Sequence, residues 1–351
     1  MVLTLNAAAL LDGPLGLLLA PLGWLYGGVA RARVHAYQRG WLQSKRPPMP
    51  TLSIGNLSAG GTGKTPLLLH AVEWLQRHDA RVGVLSRGYG GDEGRILEER
   101  HPEAQLVENP DRRAGLRQLQ QQGGAEVLLL DDGFQHLRLQ RDLDVVLLDA
   151  TRPFGRCLPA GLLRESPRAL RRAHAIVLSR TELVSKDEVE RIWAEVDRIR
   201  AGCPSLPRLE GGMQAKDLRR LHDGRLQPVS AFADRSVRLA SGIGNPGSFE
   251  ALVRSLGIAV LDHQLAGDHH AWKPEDCASW DGEHPVLVTE KDGVKLRPFA
   301  PQNVWELRAD WVFHRGQDEW EDLLNRFYLP VRAARIEPLW SAHDPDGRAV
   351  E

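Results

Sequence analysis

Residues 56–66 read NLSAGGTGKTP and follow the apolar run TLSI of residues 51–54 after a single glycine, Gly55. Glycines in such a turn let successive backbone N–H groups point at one anion, and a following helix adds the positive end of its dipole. The usual phosphate-loop pattern is Gly, four residues, then Gly-Lys-Ser/Thr. Counting back from Gly63-Lys64-Thr65, the first position of that pattern holds Ser58. The strand–turn–helix context nevertheless predicts a nucleotide phosphate site.

Individual loop residues are predicted to contact the phosphates and the Mg²⁺ ion of a bound nucleotide. Lys64 is predicted to reach the outer phosphates and act in catalysis, and Thr65 to bind Mg²⁺. Gly60 and Gly61 can supply the flexibility that Ser58 lacks. The predicted phosphate-binding residues are Ser58, Ala59, Gly60, Gly61, Thr62, Gly63, Lys64 and Thr65. The alternative is a glycine-rich strand–helix turn that binds no ligand.

Short apolar runs alternate with longer amphipathic stretches along the chain. The predicted strands are Thr51–Ile54, Val82–Leu85, Val127–Leu130, Val145–Leu148, Ile176–Leu178 and Val286–Val288. The predicted helices include Lys64–Arg77, Arg112–Gln122, Lys186–Arg200 and Pro246–Leu256. Nearly continuous apolar strands are expected where helices cover both faces of a parallel sheet. We therefore predict an α/β, P-loop NTPase-like, doubly wound and mostly parallel sheet, with functional residues at the carboxyl ends of its strands.

Charge and turn residues cluster near Leu206–Leu226 and indicate a boundary. The predicted organisation is an N-terminal membrane-associating segment at 1–46 and a P-loop core at 47–206. A smaller C-terminal α/β subdomain at 207–332 would complete the cleft, and a loosely packed tail would occupy 333–351.

Two adjacent carboxylates, Asp131 and Asp132, end the apolar run VLLL. Such a strand end is the usual partner of a phosphate loop, because an Asp there holds Mg²⁺ directly or through water. Both are predicted metal residues, although a pair of solvated strand-end acids is the alternative. Gln135 and His136 follow one turn later and are placed to face the same cleft, with a structural role equally open for His136.

Composition excludes some classes of protein. The formal net charge is −1, which argues against a nucleic-acid binder. The three cysteines, Cys157, Cys203 and Cys277, have no paired spacing, which argues against a disulfide framework or zinc site and favours a reducing compartment.

Residues 13–30, GPLGLLLAPLGWLYGGVA, contain no charge, and Arg31 and Arg33 follow. A secretory signal would place basic residues before the apolar run. A spanning helix needs about 20 apolar residues, and two prolines and several glycines weaken this one. We interpret the segment as a surface-lying membrane anchor with Trp24 and Tyr26 at headgroup level. A helical hairpin buried in a soluble core is the alternative.

Several motifs occur together between residues 21 and 328. They read PLGWLYGGVARAR (21–33), SIGNLSAGGTGKTP (53–66), SRGYGG (86–91), LDDGFQHLRLQRDLDVVLLDA (130–150), RPFG (152–155), LPAGLLRE (158–165), GIGNPGSF (242–249), DHH (268–270) and VTEKDGVK (288–295). In this combination the chain resembles the tetraacyldisaccharide 4′-kinases of lipid A synthesis. The family loop also reads Gly-Gly-x-Gly-Lys-Thr, so Ser58 is no departure from it.

The resemblance implies transfer of the ATP γ-phosphate to the 4′-hydroxyl of tetraacyldisaccharide 1-phosphate, with Mg²⁺. It implies a lipid A precursor and a membrane surface as partners, no nucleic acid, and a peripheral or monotopic place at the cytoplasmic face of the inner membrane. It does not specify protein partners.

The resemblance also implies site residues. Asp92 in GGDEG and His269 in GDHHAW match the family's catalytic pair, although many relatives have a longer segment before the Asp. Arg164 matches a family residue on the acceptor side and is a catalytic candidate for phosphate or transition-state charge. The substrate-binding candidates are Arg87, Tyr89, Gln135, Arg164 and Glu165. The segment TEKDGVK is interpreted as packing or cleft closure and not as catalytic.

Two other functions fit parts of the pattern. A P-loop GTPase or ATPase switch, or a metallochaperone-type NTPase, would share the loop, and a GTPase usually carries Asn-Lys-x-Asp after a late strand. The TEKD sequence at 289–292 lies in a similar place but lacks that Asn. A membrane scaffold with a degenerate nucleotide site is the other alternative, which intact Lys64, Thr65, Asp131 and Asp132 disfavour.

Overall fold

The computed structural model describes residues 13–88 and 91–340. Its strands belong to one twelve-stranded sheet: β1 (Thr51–Asn56), β2 (Val82–Ser86), β3 (Gln105–Glu108), β4 (Val127–Asp131), β5 (Leu143–Asp149), β6 (Ala175–Ser179), β7 (Leu209–Arg220), β8 (Leu226–Gln227), β9 (Ser236–Ser241), β10 (Ala259–Leu265), β11 (Val286–Thr289) and β12 (Val304–Arg315). The α-helices are α1 (Pro14–Leu18), α2 (Ala20–Gln38), α3 (Lys64–Arg77), α4 (Asp92–Arg100), α5 (Arg112–Gln122), α6 (Lys186–Ile199), α7 (Pro246–Ser255), α8 (Glu290–Leu296) and α9 (Gln317–Trp340).

The sheet consists of two parallel halves joined by one antiparallel pair. Its strand order is β10-β9-β11-β12-β7-β6-β5-β1-β4-β2-β3, with β8 paired to β7. All neighbours along this path are parallel except β12 and β7. The predicted α/β, mostly parallel fold is therefore confirmed.

The long strands β7 and β12 set how the halves face each other. Only the start of β7, Leu209 to Gly211, pairs with β6, and the rest of the strand runs beyond the first half. Strand β12 returns antiparallel to β7, and its first four paired residues, from Val304, hold β11. Because the two groups of parallel strands run in opposite directions, their carboxyl ends point toward one another. Functional residues from both halves can thus meet in one cleft.

The core follows the predicted apolar runs. All six predicted strands lie within observed strands, and their residues are buried on both faces, as in β1 and β4. Helices α3 and α5 have the predicted bounds, while α6 and α7 each end one residue earlier than predicted. Helix α9, which the sequence pattern did not indicate, buries Trp320 and Leu324 in the same core as α3.

The N-terminal helices have one packed face and one open face. Gly23 of α2 is buried, and a Cβ atom there would lie 2.8 Å from Cβ of Ala160 and 2.9 Å from the carbonyl oxygen of Cys157. Leu18 and Trp24 are each 77% exposed, so the segment is not a hairpin buried in a soluble core. None of the helices described here combines the length and apolar character needed to cross a bilayer.

The domain boundaries remain a prediction. One continuous sheet joins both sides of the division at 206/207, because β7 pairs with β6 before it and with β12 after it. In the predicted tail, residues up to Trp340 continue α9, and 341–351 lie outside the described residues.

Candidate active site

The phosphate loop is held open by backbone contacts and two left-handed glycines. Ala59 donates its backbone N–H to the carbonyl of Leu162 at 2.8 Å, which ties the loop to the LPAGLLRE segment. Gly60 has φ +125° and Gly63 has φ +92°, a region that favours glycine. Gly63 is the N-cap of α3, so Lys64 and Thr65 begin the helix and the dipole end faces the loop.

Asn56 and Gln135 brace the strand that enters the loop. Asn56 is fully buried, and its Nδ2 donates to Oγ1 of Thr62 at 2.9 Å. Gln135, a predicted substrate residue, donates from Nε2 to the carbonyl of Asn56 at 2.9 Å. Its Oε1 is buried and has no hydrogen-bond partner within the described chain. Gln135 therefore shapes the loop while leaving one acceptor open.

Asp131 and Asp132 end β4 beside the loop, as predicted. Asp132 accepts from Arg164 at 2.6 Å and lies 3.8 Å from Nζ of Lys64. Asp131 and Asp132 each have a buried Oδ1 with no hydrogen-bond partner among the described residues. The two neighbouring acids therefore differ in their ion pairs. The cations of Arg164 and Lys64 neutralise Asp132, and neither of these two ion pairs includes Asp131.

This inequality separates the pKa values of the pair. Burial raises the pKa of Asp131 to about 7, and the nearby carboxylates of Glu93 and Asp132 add to the rise. Burial also acts to raise the pKa of Asp132, but Lys64 and Arg164 outweigh it and lower that pKa. A buried carboxylate oxygen without a donor fits a hard cation such as Mg²⁺.

Asp92 and His269 meet, although 176 residues separate them in the chain. Asp92 begins α4, and its side chain is 0% exposed. Nδ1 of His269 lies 3.2 Å from Oδ2 of Asp92. The short segment before Asp92 does not prevent this pairing, because Gly91 turns into α4 with φ +65°.

Two lysines of α8 surround the same carboxylate. Nζ of Lys295 lies 2.8 Å and Nζ of Lys291 lies 3.9 Å from Oδ2 of Asp92. Burial acts to raise the pKa of Asp92, but Lys291, Lys295 and His269 together lower it below the usual value. Asp92 is therefore ionised at neutral pH.

The backbone and hydrogen bonds of His269 fix its ring. His269 has φ +59°, and its N–H donates to the carbonyl of Gly242 at 3.1 Å. Nε2 lies 3.3 Å from Nζ of Lys291, which can only donate. Since Lys291 can only donate, Nε2 is the acceptor in that contact and Nδ1 is the nitrogen that donates to Asp92.

The remaining predicted substrate residues have different surroundings. Arg164 lies at the acid pair, as expected for a residue that meets phosphate charge. Glu165 is buried and forms an ion pair with Arg172 at 2.7 Å. Arg87 is exposed after β2, and Tyr89 lies outside the described residues. The structure thus places Arg164 at the acid pair and holds Glu165 in an ion pair.

A cleft of about 730 Å³ lies between the halves of the sheet. Residues 61–66 of the loop line one side, and the turn after β9 lines the other with Ile243, Gly244 and Asn245. A Cβ atom on Gly244 would lie 2.9 Å from the backbone nitrogen of Gly61, so the turns nearly touch. Glu93 and Lys291 also line this cleft, which places the Asp92–His269 pair at its edge.

Sequence reasoning missed several residues here. Arg180 donates to the carbonyl of Gly61 at 2.6 Å and forms an ion pair with Asp149 at the end of β5. The interpretation of TEKDGVK as packing or closure was incomplete, because Lys291 and Lys295 contact Asp92. The signals available were the strand-end position of Asp149 and the two lysines spaced four apart after β11.

The same geometry argues against guanine reading by TEKD. Asp292 is fully buried and accepts from the Gly242 N–H at 3.0 Å, from Nε1 of Trp272 at 2.8 Å and from Oγ1 of Thr289 at 2.7 Å. A carboxylate that is buried and already accepts these hydrogen bonds is not available to accept hydrogen bonds from a guanine base. Asp292 instead joins the turn after β9 to the loop that carries His269.

Comparison with known proteins identifies the family. The model of the family described as tetraacyldisaccharide-1-P 4′-kinase matches residues 15–328. The chain belongs to this family. It is 34% identical over 313 residues to the tetraacyldisaccharide 4′-kinase of Nitrosococcus oceani, covering 84% of this chain and 86% of that protein. It is 35% identical over 311 residues to that of Aeromonas salmonicida, covering 83% of this chain and 87% of that protein.

A solved structure has the same fold. LpxK from Aquifex aeolicus, crystallised in complex with ATP, is 30% identical and superposes with a TM-score of 0.70, covering 90% of this chain and 99% of that one. Membership of the family confirms the predicted tetraacyldisaccharide 4′-kinase and the use of ATP. The switch and scaffold alternatives find no support in these comparisons.

Proposed function

We propose that this kinase transfers the γ-phosphate of ATP to the 4′-hydroxyl of tetraacyldisaccharide 1-phosphate, with the Asp92–His269 pair receiving the hydroxyl proton. The observation that carries the assignment is the pair itself, 3.2 Å apart at the edge of the cleft that the phosphate loop lines. Phosphoryl transfer depends mainly on positioning and charge neutralisation, and both are available here.

The nucleotide end of the reaction uses the loop. Backbone N–H groups of residues 60–65, at the start of α3, cradle the phosphates, since the Ala59 N–H is already donated to Leu162. Lys64, which lies 3.8 Å from Asp132, neutralises charge on the outer phosphates. Arg164 contacts Asp132 from the LPAGLLRE side and adds a second cation where the phosphoryl group passes.

The metal residues fit Mg²⁺. Thr65 and Asp131 would hold the ion, since Asp131 offers a buried oxygen with no other hydrogen-bond partner in the described chain. When bound, the ion supplies neutralisation of phosphate charge. Asp132 is held by Arg164 and is assigned to orient the site.

The acceptor end uses the carboxylate–imidazole pair. Asp92 is ionised because the lysines and His269 lower its pKa. With its proton on Nδ1, His269 orients Oδ2 of Asp92. The pair can therefore take the 4′-hydroxyl proton as the oxygen attacks phosphorus.

The acceptor lipid stays in a bilayer, so the enzyme must dock on one. Helix α2 presents exposed Leu22, Trp24, Leu25 and Val29 on the side away from its glycine contact. Exposed Arg31 follows and suits anionic headgroups. We place the enzyme at the cytoplasmic face of the inner membrane, where ATP and the lipid are both present, held peripherally or monotopically.

The test is a kinase assay in detergent micelles with labelled ATP, Mg²⁺ and tetraacyldisaccharide 1-phosphate. We expect wild-type protein to label the lipid, and Asp92→Asn and Lys64→Ala to lower kcat by about 100-fold or more. Lys216→Ala, an exposed lysine at a surface ion pair, is the matched control and should retain activity. Full activity of folded Asp92→Asn would move the proton acceptor elsewhere.

A further inference from the structure

Helices α4 and α8 pack with complementary charges along their length. Arg100 of α4 pairs with Glu290 of α8 at 2.5 Å, and Lys291 of α8 pairs with Glu93 of α4 at 3.2 Å. Arg297, the C-cap of α8, pairs with Glu99 of α4. Helix α8 therefore holds the helix that begins with Asp92, although α8 lies in the other half of the sheet.

Lys295 is the member of this ladder that meets the catalytic carboxylate directly. Its Nζ lies 2.8 Å from Oδ2 of Asp92, and its side chain is only 13% exposed. Its neighbours Val294 and Leu296 are buried, which fixes the rotation of α8. Lys295 is absent from the residues that line the nucleotide cleft. Asp92 and His269 are absent from that lining as well, and the ion pair of Lys295 is with Asp92.

We propose that Lys295 is a positioning residue for the phosphoryl transfer, which fixes the side chain of Asp92 and keeps it ionised so that it can work with His269. This inference rests on the proposed function, because it assigns Lys295 to the same reaction. Lys295 acts through Asp92 and does not contact the substrates.

The charged groups around Asp92 determine whether its carboxylate stays ionised. The groups that face it are Lys291 and Lys295 from α8 and His269 from its loop. Glu93 follows it on α4, and the carboxylate of Glu108 interacts with it from β3. A carboxylate buried with acidic neighbours tends to become protonated, and a protonated Asp cannot accept the hydroxyl proton.

Lys291 also lowers the pKa of Asp92, but it does not make the close contact with the carboxylate that Lys295 makes. Its Nζ is divided among Glu93 at 3.2 Å, Nε2 of His269 at 3.3 Å and Asp268 at 3.8 Å, and it is 3.9 Å from Asp92. Lys291 thus fixes the imidazole while Lys295 fixes the carboxylate. The two lysines, one helical turn apart, hold the two members of the pair separately.

The test compares Lys295→Met, Lys295→Arg and Arg297→Gln in the micelle assay across pH. For Lys295→Met we expect kcat to fall by about 100-fold, as for a misplaced catalytic group, with KM for ATP unchanged. Loss of a cation beside a carboxylate raises its pKa by about 1 to 3 units, so the acid limb of the pH–rate profile should move up by that amount. Lys295→Arg should restore most of the activity.

Arg297→Gln is the matched control, because it loosens the same pair of helices without touching Asp92. It should stay within about threefold of wild type and keep the wild-type pH profile, as expected for a residue outside the reaction. If Lys295→Met does not fold, Lys295→Gln keeps a donor but removes the charge, and the pH shift is read from it. Thermal melts verify folding of each variant.

A double-mutant cycle decides whether Lys295 acts through Asp92. In the Asp92→Asn background, Lys295→Met should cause no further loss of kcat. Additive losses, or an unshifted pH profile in folded Lys295→Met, would overturn the proposal. Failure of the wild type to phosphorylate the lipid would instead overturn the proposed function, so the two failures are distinguishable.

Discussion

Asp131 and Asp132 show how two identical side chains acquire different roles from their contacts. Both keep a buried Oδ1 with no hydrogen-bond partner in the described chain, but Arg164 and Lys64 form ion pairs with Asp132 and lower its pKa, whereas burial raises the pKa of Asp131. The sequence predicted both as metal residues and could not rank them, because adjacent residues at a strand end look alike until their neighbours in space are known. The two acids are distinguished by the ion pair between Asp132 and Arg164, which lies 32 positions further along the chain.

This difference predicts separate effects of two substitutions. Asp131→Asn should raise the Mg²⁺ concentration for half-maximal activity by about 10- to 100-fold, because it removes the open ligand. Asp132→Asn should mainly lower kcat, since it releases Arg164 and Lys64 from their shared partner. Mg²⁺ titrations of both variants at saturating ATP measure this, and a larger Mg²⁺ shift for Asp132→Asn would reverse the assignment.

His136 supports a prediction about stability and pH. Burial, with nearby Arg112, Arg138 and Arg141, lowers the pKa of His136 from 6.5 to about 4. The folded state thus prefers neutral His136, so its stabilising contribution is complete above pH 6.5 and is lost as pH falls toward 4. Linkage sets an upper limit of about 3 kcal/mol for this loss.

The measurement is the free energy of unfolding by urea at pH 7 and pH 4.5 for wild type and His136→Gln. The variant should lose less stability on acidification than wild type, because Gln does not titrate. Equal losses in both proteins would show that His136 is not an important acid-sensitive group.

At the scale of elements, helix α2 packs on the protein through glycines and leaves its large apolar side chains exposed to solvent. Gly23 and Gly27 are its buried residues and contact the segment around Cys157, so the large side chains remain outside. Trp24 is 77% exposed and Leu25 is 66% exposed. Exposed apolar residues on one helix followed by arginines are the pattern of an interfacial anchor.

Replacing Trp24 and Leu25 together by Glu should therefore reduce co-sedimentation with anionic vesicles by about 10-fold or more, from loss of buried apolar area. Thermal stability should change little, since both side chains are exposed. Leu226→Glu, at an exposed leucine in β8, is the control and should bind vesicles like wild type. Unchanged binding of the double variant would remove α2 as the anchor.

Elements with a strong local pattern were predictable, and those set by distant partners were not. The bounds of α3 followed from GGTGKT and its amphipathic run. Strand β7, LEGGMQAKDLRR, mixes buried, half-buried and exposed residues and lacks the apolar run that revealed β1. Helix α4 is short and mostly polar, and it forms ion pairs with α8. Local patterns cannot reveal such elements, because their partners in β12 and α8 lie at least 85 residues away in the chain.

At the scale of the whole molecule, the antiparallel pair β7–β12 decides where chemistry can occur. It turns the second half of the sheet so that the carboxyl ends of both halves face one cleft. The phosphate loop and acid pair come from the first half, and His269 and α8 from the second. The resemblance predicted Asp92 and His269 as a catalytic pair, and the fold explains how the two side chains meet and why Lys295 contacts Asp92.

The central claim is that this cleft phosphorylates the 4′-hydroxyl of the disaccharide lipid. The most direct measurement is identification of the product formed from ATP, Mg²⁺ and tetraacyldisaccharide 1-phosphate in micelles, by mass spectrometry and proton–phosphorus correlation NMR. We expect a gain of one phosphoryl group, with the new phosphorus coupled to the proton at C4′. ATP hydrolysis without a lipid product, or a phosphate on another hydroxyl, would contradict it.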